Sequence, residues 1–458
     1  MLDVLSDALA KLSEFDFVEL RHRRMETITI EITDGNVEQA TTGVEEGIGV
    51  RILHRGAWGF ASTTSPTRKA IIDAGKEAGG LAKKGSAYLL TPVKLKEAPI
   101  CEGEYHAPYK KDLRSIPVDE KLELFTEASA WVKSADKVVS HTLNYTEHIE
   151  DVSFVNSEGS SFRRSSQKPG IRASVTLRDK GKIRPALSYA GNTCGAEFFK
   201  DHDPLEKIKE AYQLGSRLLH AKIVKGGLSK VILSHAVVGL LAHEAIGHTA
   251  ESDLVIAGSF LKDKIGEKIA SELVSLSDSP VEGNAAGWIP VDDEGVVGKK
   301  VEIIKDGILR NYMVNRSDAL KLNIEPTGNA RAFTHRDLPL IRMRNTFIEA
   351  GDMTEDELIE LTKDGFYIKG VGSGQADFNG EFMFGSQEAL EIKNGKLTGI
   401  SYVGPTISGN SFEVLQSVTG VGKVLHWDLG VGYCGKIQPA RVDAGGPLLA
   451  CTALLGGK

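Results

Sequence analysis

The stretch LLAHEAIGHTAESD, residues 240–253, restricts the possible folds of this chain more than any other part of its sequence. His243 and Glu244 are adjacent, and the next histidine, His248, comes five residues after the first. In a regular α-helix of about 3.6 residues per turn, side chains five residues apart point in directions roughly 140° apart. The familiar zinc-peptidase helix instead places its histidines four residues apart, on one face. This segment is therefore either a core helix with hydrogen-bonded histidines or a metal site on a distorted helix.

An apolar helix is predicted around these residues, with Ser234 as its N-cap. Burial of two histidines and a glutamate in such a helix is unfavourable unless a partner offsets their desolvation, and a metal ion would do so. A π-bulge adds one residue to a helical turn and brings positions five apart onto one face. Gly247 gives the backbone the freedom for that distortion. We therefore predict an irregular helix near Gly247.

A catalytic zinc site has three protein ligands and one open position, so the two histidines leave one ligand to find. Cys434 lies in GVGYCGKIQP, where neighbouring glycines allow the backbone to approach another element closely. Cys451 lies in an apolar run that is typical of a buried cysteine, and Cys101 and Cys194 belong to earlier parts of the chain. Cys434 is the leading candidate, and another histidine or a carboxylate is the alternative.

Five further residues are candidates for supporting roles in such a site. Glu251 or Asp253 could accept a hydrogen bond from a ligating imidazole and so fix its tautomer, although both also fit a solvated acidic helix end. His335, His426 and Tyr433 could donate a hydrogen bond to a developing oxyanion. A core or surface role explains each of these three equally well.

Patterning along the chain predicts an α+β protein with three units. Residues 1–110 combine helices with alternating strands, and residues 117–224 run from a helix through several strands to a second helix, so both are α/β layered units. Residues 225–458 are rich in glycine and strand signals. We expect this last unit to be β-rich, barrel-like or sandwich-like, and to carry the helix with the two histidines.

Turn signals add detail to the β-rich unit. Asp306-Gly307 and Asn394-Gly395 each separate two strand-like runs and predict β-hairpins. The glycine-rich run at residues 369–385 is a candidate edge strand, which could bind a peptide through main-chain hydrogen bonds. The alternative for this run is an ordinary bulged hairpin.

Composition excludes several classes of protein. The 458 residues carry a formal net charge of −7 without a long basic run, which argues against a nucleic-acid-binding protein. No apolar stretch is long enough for a bilayer span, and the amphipathic N-terminus does not resemble a signal peptide. The four cysteines are too few and too scattered for a disulfide framework. These features predict a soluble, cytoplasmic protein that binds neither nucleic acid nor membrane.

The sequence resembles the TldD/PmbA family of metallopeptidases, on the TldD side. The resemblance includes HEAIGHTAESD from His243, and GIGVRILHRGAWGFAST from Gly47, which is similar to the N-terminal signature of the family. DDEG at residues 292–295 and the following IIKDGILRNYMVNRSDA resemble its C-terminal domain. CGKIQ from Cys434 resembles the segment that carries the cysteine ligand of the family. The resemblance spans nearly the whole chain.

This resemblance implies a zinc ion bound by His243, His248 and Cys434, with Glu244 as the catalytic acid and base. It implies hydrolysis of unfolded peptides, which enter an enclosed cavity, through a metal-activated water. It also implies a heterodimer with a related subunit that lacks the metal motif, and a homodimer is the alternative. Because this chain carries the motif, it resembles the active subunit.

Three other functions are compatible with parts of the sequence. A regulatory or binding subunit would hold a structural metal at a closed site with four ligands. A cysteine hydrolase would use Cys434 as its nucleophile with a histidine as base. A nucleic-acid modulator is disfavoured by the acidic charge balance.

Overall fold

The first 220 residues form one large, mainly antiparallel sheet that is covered by helices. The computed structural model describes residues 1–377 and 379–457. The elements of this half are α1 (Leu2–Leu9), β1 (Phe17–Thr33), β2 (Asn36–His54), β3 (Ala57–Thr63), α2 (Arg68–Ser86), β4 (Glu102–His106), α3 (Val118–Lys133), β5 (Val138–Asn156), β6 (Ser161–Asp179), β7 (Lys182–Gly191), α4 (Phe198–Asp201) and α5 (Pro204–His220).

The strand order of this sheet is β3-β2-β1-β5-β6-β4, and β7 pairs with β6. Strand β1 is hydrogen-bonded to β2 on one side and to β5 on the other, each over most of its length. Strands from residues 1–110 and from residues 117–224 therefore lie in a single sheet. The division of this half into two domains stays a prediction.

The two faces of the sheet differ because successive side chains of a strand point to opposite faces. On one face, Val18 of β1 packs into the core beneath α1 and α2, and Ile30 packs into the core beneath α3 and α5. On the other face, Glu19 and Arg21 are also buried. Arg21 donates a hydrogen bond to the main-chain oxygen of Asp337, so this polar face lies against the second half of the chain.

The second half is β-rich and begins with a two-residue strand. Its elements are β8 (Lys222–Ile223), β9 (Gly227–Leu233), α6 (His235–Leu240), α7 (Ser252–Ala257), β10 (Leu276–Ser279), β11 (Val301–Lys305), β12 (Ile308–Leu309), α8 (Arg316–Leu322), β13 (Ala330–Arg331), β14 (Leu340–Ile341), β15 (Asn345–Ile348), α9 (Glu355–Thr362), β16 (Gly365–Ala376), β17 (Glu381–Lys393), β18 (Lys396–Val403), β19 (Thr406–Asn410), α10 (Ser411–Gln416), β20 (Gly420–Val421), β21 (His426–Trp427), β22 (Tyr433–Lys436), β23 (Gln438–Arg441), β24 (Asp443–Gly446) and β25 (Leu449–Gly456).

Five of these strands close into a barrel. The path β16-β9-β25-β19-β17 returns to its start because β16 also pairs with β17. A separate sheet has the order β12-β11-β10-β15-β24-β21. Helix α6 lies between the two and contacts β16 of the barrel and β24 of the second sheet. Helix α6, which leads directly into the segment with His243, is therefore held by both sheets, and the structure confirms the predicted α+β class with a β-rich second half.

The predicted hairpins are present. Asp306 and Gly307 connect β11 to β12 with φ angles of 49° and 77°, and Asn394 and Gly395 connect β17 to β18 with φ angles of 51° and 71°. Two successive positive φ angles are typical of the type I′ turn, whose twist matches that of paired strands. Within the described residues, no helix is long and apolar enough to cross a membrane.

Helix α6 approaches β24 so closely that only glycine fits at position 239. A Cβ atom there would lie 2.8 Å from the carbonyl carbon of Ala444 and 2.9 Å from its oxygen. We therefore expect Gly239→Ala to push α6 away from β24 and to destabilise the protein by about 1–3 kcal/mol, as overpacking does. The midpoint of thermal unfolding would fall accordingly.

Gly80→Ala in α2 is the matched control, because a Cβ atom at Gly80 meets no other atom within 4 Å. It should stabilise the protein by about 0.5–1 kcal/mol, since glycine is a poor residue in a helix interior. Equal midpoints for the two variants would show that the α6–β24 contact is looser than described.

Candidate metal centre

The segment that follows α6 is a π-helix. It covers Leu241–Gly247 and leads into a short 3-10 turn, His248–Ala250. The backbone N–H of His248 donates to the carbonyl oxygen of His243, five residues earlier. This hydrogen bond is the defining feature of a π-turn, and it brings the two histidines onto one face. The structure thus confirms the predicted irregularity near Gly247.

The structure brings these histidines together with Cys434. The two imidazole rings have centroids 5.1 Å apart and are nearly perpendicular. Cys434 lies on β22, and its Sγ is 3.1 Å from Nε2 of His248. One ligand atom from each of the three residues lies within 4.8 Å of the others. This spacing is compatible with one metal ion bound by all three.

The donor atoms fit such an ion chemically. His243 is only 4% exposed, and its Nδ1 atom is buried without a hydrogen-bond partner among residues 1–377 and 379–457. A buried polar atom without a partner is unfavourable. Coordination of a metal ion by this imidazole would offset part of the cost of its burial. Two imidazole nitrogens and a thiolate form a donor set that zinc prefers over harder ions.

The electrostatics of the cluster favour the thiolate. Burial opposes ionisation of the Cys434 thiol, but the imidazoles of His243 and His248 outweigh it and lower its pKa to about 4. The thiolate is the form of cysteine that binds metals. Burial likewise opposes protonation of His248, but Glu251 and Cys434 raise its pKa to about 10. A proton and a metal ion therefore compete for the Nε2 atom of His248.

Glu251 orients the second histidine. Its Oε2 lies 2.9 Å from Nδ1 of His248, and the ionised carboxylate can only accept, so Nδ1–H donates. The carboxylate is fully buried, and its second neighbour is the ammonium of Lys436, 3.0 Å away. Burial acts to raise the pKa of Glu251, but the opposite effect of His248 and Lys436 is larger. The pKa of Glu251 therefore lies below its ordinary value. Asp253 instead forms an ion pair with Lys436 and does not contact His248 through a hydrogen bond.

A cavity of about 200 Å³ opens beside the cluster, and we call it the site cavity. Glu244 lines it, and its Oε2 lies 3.9 Å from Nε2 of His248. The lining consists of Arg172, Leu187, Tyr189, Leu240, His243, Glu244, Val371, Gly372, Leu429, Val431, Gly432, Tyr433, Cys434, Val442 and Ala444. A substrate in this cavity would contact both the cluster and Glu244.

Of the three predicted oxyanion donors, the structure places only Tyr433 at the site cavity. His335 is buried against β2, where its ring leaves no room for a Cβ atom at Gly47. His426 contacts His235, with ring centroids 4.3 Å apart, and lines a different cavity. Neither of these histidines is among the described residues that line the site cavity.

Two residues that position the site were not found from the sequence. Lys436 lies two residues after Cys434 and pairs with Glu251 and Asp253. Its position beside the candidate ligand is the one sequence signal that could have indicated this role. Arg342 is fully buried and donates hydrogen bonds to the main-chain oxygens of Cys434, at 2.6 Å, and of Gln438. It holds the β22–β23 hairpin in place. No local pattern distinguishes it from other arginines.

Comparison with known proteins agrees with this description. Sequence profiles of the PmbA/TldA metallopeptidases match in three parts: domain 1 at residues 18–82, the central domain at residues 111–219 and the C-terminal domain at residues 226–453. A metalloprotease of Methanocaldococcus jannaschii is 34% identical over 444 residues, which cover 96% of this chain and 97% of the relative. A zinc metalloprotease TldD homolog of Saccharolobus solfataricus is 29% identical over 94% of both chains.

Solved structures share the fold. A Thermotoga maritima protein, described as a proposed modulator of a DNA gyrase, has a TM-score of 0.81 at 20% identity and covers 100% of both chains. TldE from Thermococcus kodakarensis has a TM-score of 0.78 at 19% identity and covers 99% of both chains. At such identities, these two matches show the fold alone.

The profiles and the relatives together define a metallopeptidase. The chain belongs to the TldD/PmbA family.

If Cys434 is a metal ligand, its removal should release the metal. We expect Cys434→Ala, purified without chelators, to lose most of the bound metal, because two imidazoles alone bind a divalent ion much more weakly than three ligands. Cys451→Ala, which truncates another buried cysteine, should keep the wild-type content. Elemental analysis by mass spectrometry measures both. Equal metal content in the two variants would contradict the assignment of Cys434.

Proposed function

We propose that this chain is the metal-bearing, catalytic subunit of a zinc-dependent peptidase that hydrolyses unfolded peptides. One observation carries the proposal. The π-helix and the β22–β23 hairpin bring one possible ligand atom from each of His243, His248 and Cys434 within 4.8 Å of the others, and Glu244 lies beside them at a cavity. The family and the names of its relatives support a metallopeptidase. Zinc, the ligand set and the peptide substrate are our inferences.

The site has the composition of a catalytic metal site. Among the described residues, the cluster offers three side chains that could bind a metal, and a cavity lies at its side. A structural zinc site is usually closed by four protein ligands, whereas a catalytic one keeps a position open. A zinc ion bound here would supply a Lewis acid that polarises the scissile carbonyl and acidifies water.

Glu244 is the residue that would move the proton. It follows the first ligand in sequence, lines the site cavity, and leaves 26% of its side chain exposed there. Its carboxylate would accept a proton from the attacking water and later donate that proton to the leaving amine. Glu251 would act only through His248, whose orientation it fixes.

Tyr433 is the candidate for stabilising the oxyanion. Its ring lines the site cavity and its hydroxyl lies 3.1 Å from the imidazole nitrogens of His148. Burial raises the pKa of Tyr433, so the phenol keeps its proton at neutral pH and can donate a hydrogen bond.

An edge of β16 offers a place for the peptide backbone. Strand β9 pairs with β16 only at Phe366–Ile368, whereas the pairing of β16 with β17 continues to Ala376. Val371 and Gly372 lie in the continuing part and line the site cavity. Main-chain pairing reads no sequence, which suits varied, unfolded peptides. Phe378, in the same glycine-rich run, lies outside the described residues.

We further propose a heterodimer with a related subunit that lacks the metal motif, with a homodimer as the alternative. The similarity in fold to TldE from Thermococcus kodakarensis supports a partner of this shape. A cytoplasmic location is also proposed, since the four cysteines are all unpaired.

A second candidate, a cysteine hydrolase, is favoured by one observation. The Cys434 thiol, with its pKa near 4, lies 3.1 Å from His248, and this contact resembles a nucleophile beside its base. Chelators would leave such an enzyme active while alkylation of the thiol inactivates it. The metallopeptidase instead loses activity with a chelator and regains it when zinc is restored.

Replacement of the proposed base tests the proposed function directly. Glu244→Gln should lower kcat for peptide hydrolysis by about 10²–10⁴-fold, the usual contribution of a general base, while the bound zinc stays at the wild-type level. Glu267→Gln changes a surface glutamate that forms only an exposed ion pair, and it should leave kcat unchanged. An unchanged kcat in Glu244→Gln would exclude the assigned role.

A further inference from the structure

A second, smaller cavity shares Tyr433 with the site cavity. Its volume is about 40 Å³, enough for roughly three water molecules or one carboxylate-sized group. Strands β1, β5, β6, β13, β22 and β23 contribute to its walls. The lining consists of Arg23, Met25, His148, Glu150, Lys168, Ile289, Arg331, Ala332, Phe333, Tyr433, Pro439, Ala440 and Arg441.

Positive charge is in excess around this cavity. Glu150, its single lining carboxylate, forms an ion pair of 2.6 Å with Arg23. The other three cations of the lining, Lys168, Arg331 and Arg441, are each 5–6% exposed. Among the described residues, no carboxylate forms an ion pair with any of them. Buried cations are normally paired, so these three side chains offer charge that a bound anion could balance.

Arg441 has the fewest hydrogen-bond partners of the three. Arg331 donates hydrogen bonds to the main-chain oxygens of Met343 and Arg441, and Lys168 donates one to the main-chain oxygen of Trp288. Within the described part of the chain, all three side-chain nitrogens of Arg441 are buried without a hydrogen-bond partner. A guanidinium offers a planar pair of donors that matches the two oxygens of a carboxylate.

The pKa of Lys168 reflects the same excess of charge. Burial lowers it well below its ordinary value, and the neighbouring Arg331 and Arg441 add to this effect, while Glu150 only partly opposes it. An anion in the cavity would act in the same direction as Glu150 and favour the charged ammonium.

The hairpin that carries Cys434 connects this cavity to the metal centre. In the β22–β23 pairing, Tyr433 is opposite Arg441 and Cys434 is opposite Ala440. Since successive side chains alternate between the two faces of a strand, Tyr433 and Arg441 share one face of the hairpin. Tyr433 lines both cavities, so the two cavities are neighbours. A ligand in the site cavity therefore lies next to the cationic cavity.

We propose that the second cavity is a carboxylate pocket, in which Arg441, with Lys168 and Arg331, binds a carboxylate of the peptide substrate. This inference rests on the proposed function, since it takes a peptide to be the substrate. The carboxylate comes either from the C-terminus of the peptide or from an aspartate or glutamate side chain. The pocket would select peptides by charge, while β16 binds their backbone without regard to sequence.

Binding of a set of four peptides to the full-length, zinc-loaded Glu244→Gln variant tests this proposal without turnover. The peptides share one sequence and carry a fluorescent label. They end in a carboxylate or an amide, and they contain one glutamate or a glutamine in its place. We expect the loss of one of these two carboxylates to weaken binding about tenfold or more, as expected for hydrogen bonds to a charged group. Which loss matters identifies the source of the carboxylate.

In the Glu244→Gln protein, the further substitution Arg441→Met should weaken binding of the preferred peptide to the level of the peptide that lacks the selected carboxylate. Binding of the latter peptide should not change. Arg163→Met, at an arginine on β6 whose side chain is 45% exposed, is the matched control and should change neither. Thermal unfolding and zinc content verify that the variants are folded, and Lys168→Met serves if Arg441→Met does not fold.

Two results would overturn the carboxylate pocket: equal binding of all four peptides, or an equal loss for all four in Arg441→Met. Hydrolysis of these peptides by the wild-type protein is measured in parallel. Hydrolysis that does not depend on either carboxylate would contradict the carboxylate pocket but support the proposed function. Selective binding of the carboxylate peptides without hydrolysis would support the pocket but contradict the proposed function.

Discussion

The contact between Cys434 and His248 is the interaction on which the rest of the structure depends. It joins two residues that are 186 positions apart, and a different structural feature places each of them. The π-turn rotates His248 onto the face of His243, and Arg342 holds the hairpin of Cys434 by its main-chain oxygens. The buried thiolate faces the imidazole of His248, Glu251 binds that imidazole from its far side, and Lys436 balances the charge of Glu251. The irregular backbone and the buried charges are two consequences of one requirement, which is to bring three donor atoms to one point.

Buried charge also organises the contact between the two halves of the chain. The polar face of the first sheet lies against the β-rich half, and most of its ionic groups have partners there. Arg51 bridges Glu19 and Glu294, and Arg164 pairs with Asp293. Against this background of paired groups, the guanidinium of Arg441 is an exception, because it faces the ring of Tyr433 and has no hydrogen-bond partner among the described residues. Charges that serve only the stability of an interface are expected to be paired, whereas an exposed or unpaired one at a cavity is available to a ligand.

The sequence predicted the local features because each has a local physical cause. A spacing of five between His243 and His248 can be satisfied on one face only by an irregular turn, and Asp306-Gly307 is a pair of residues that tolerates the two positive φ angles of a hairpin turn. The placement of Lys168, Arg331 and Arg441 around one cavity has no such signal, since tertiary contacts bring together residues more than 100 positions apart. The single sheet of the first half was missed for the same reason, because the pairing of β1 with β5 depends on a register that no short segment encodes.

X-ray absorption spectroscopy at the zinc edge, on protein purified without chelators and loaded with one equivalent of zinc, tests the central claim most directly. The distances to the nearest atoms distinguish sulfur from nitrogen and oxygen without any change to the chain. We predict one sulfur at about 2.3 Å and the remaining ligands at about 2.0–2.1 Å, as for a site of two histidines, one cysteine and one open position. A shell of nitrogen and oxygen alone would contradict the role of Cys434, and with it the convergence of helix and hairpin as the basis of the site.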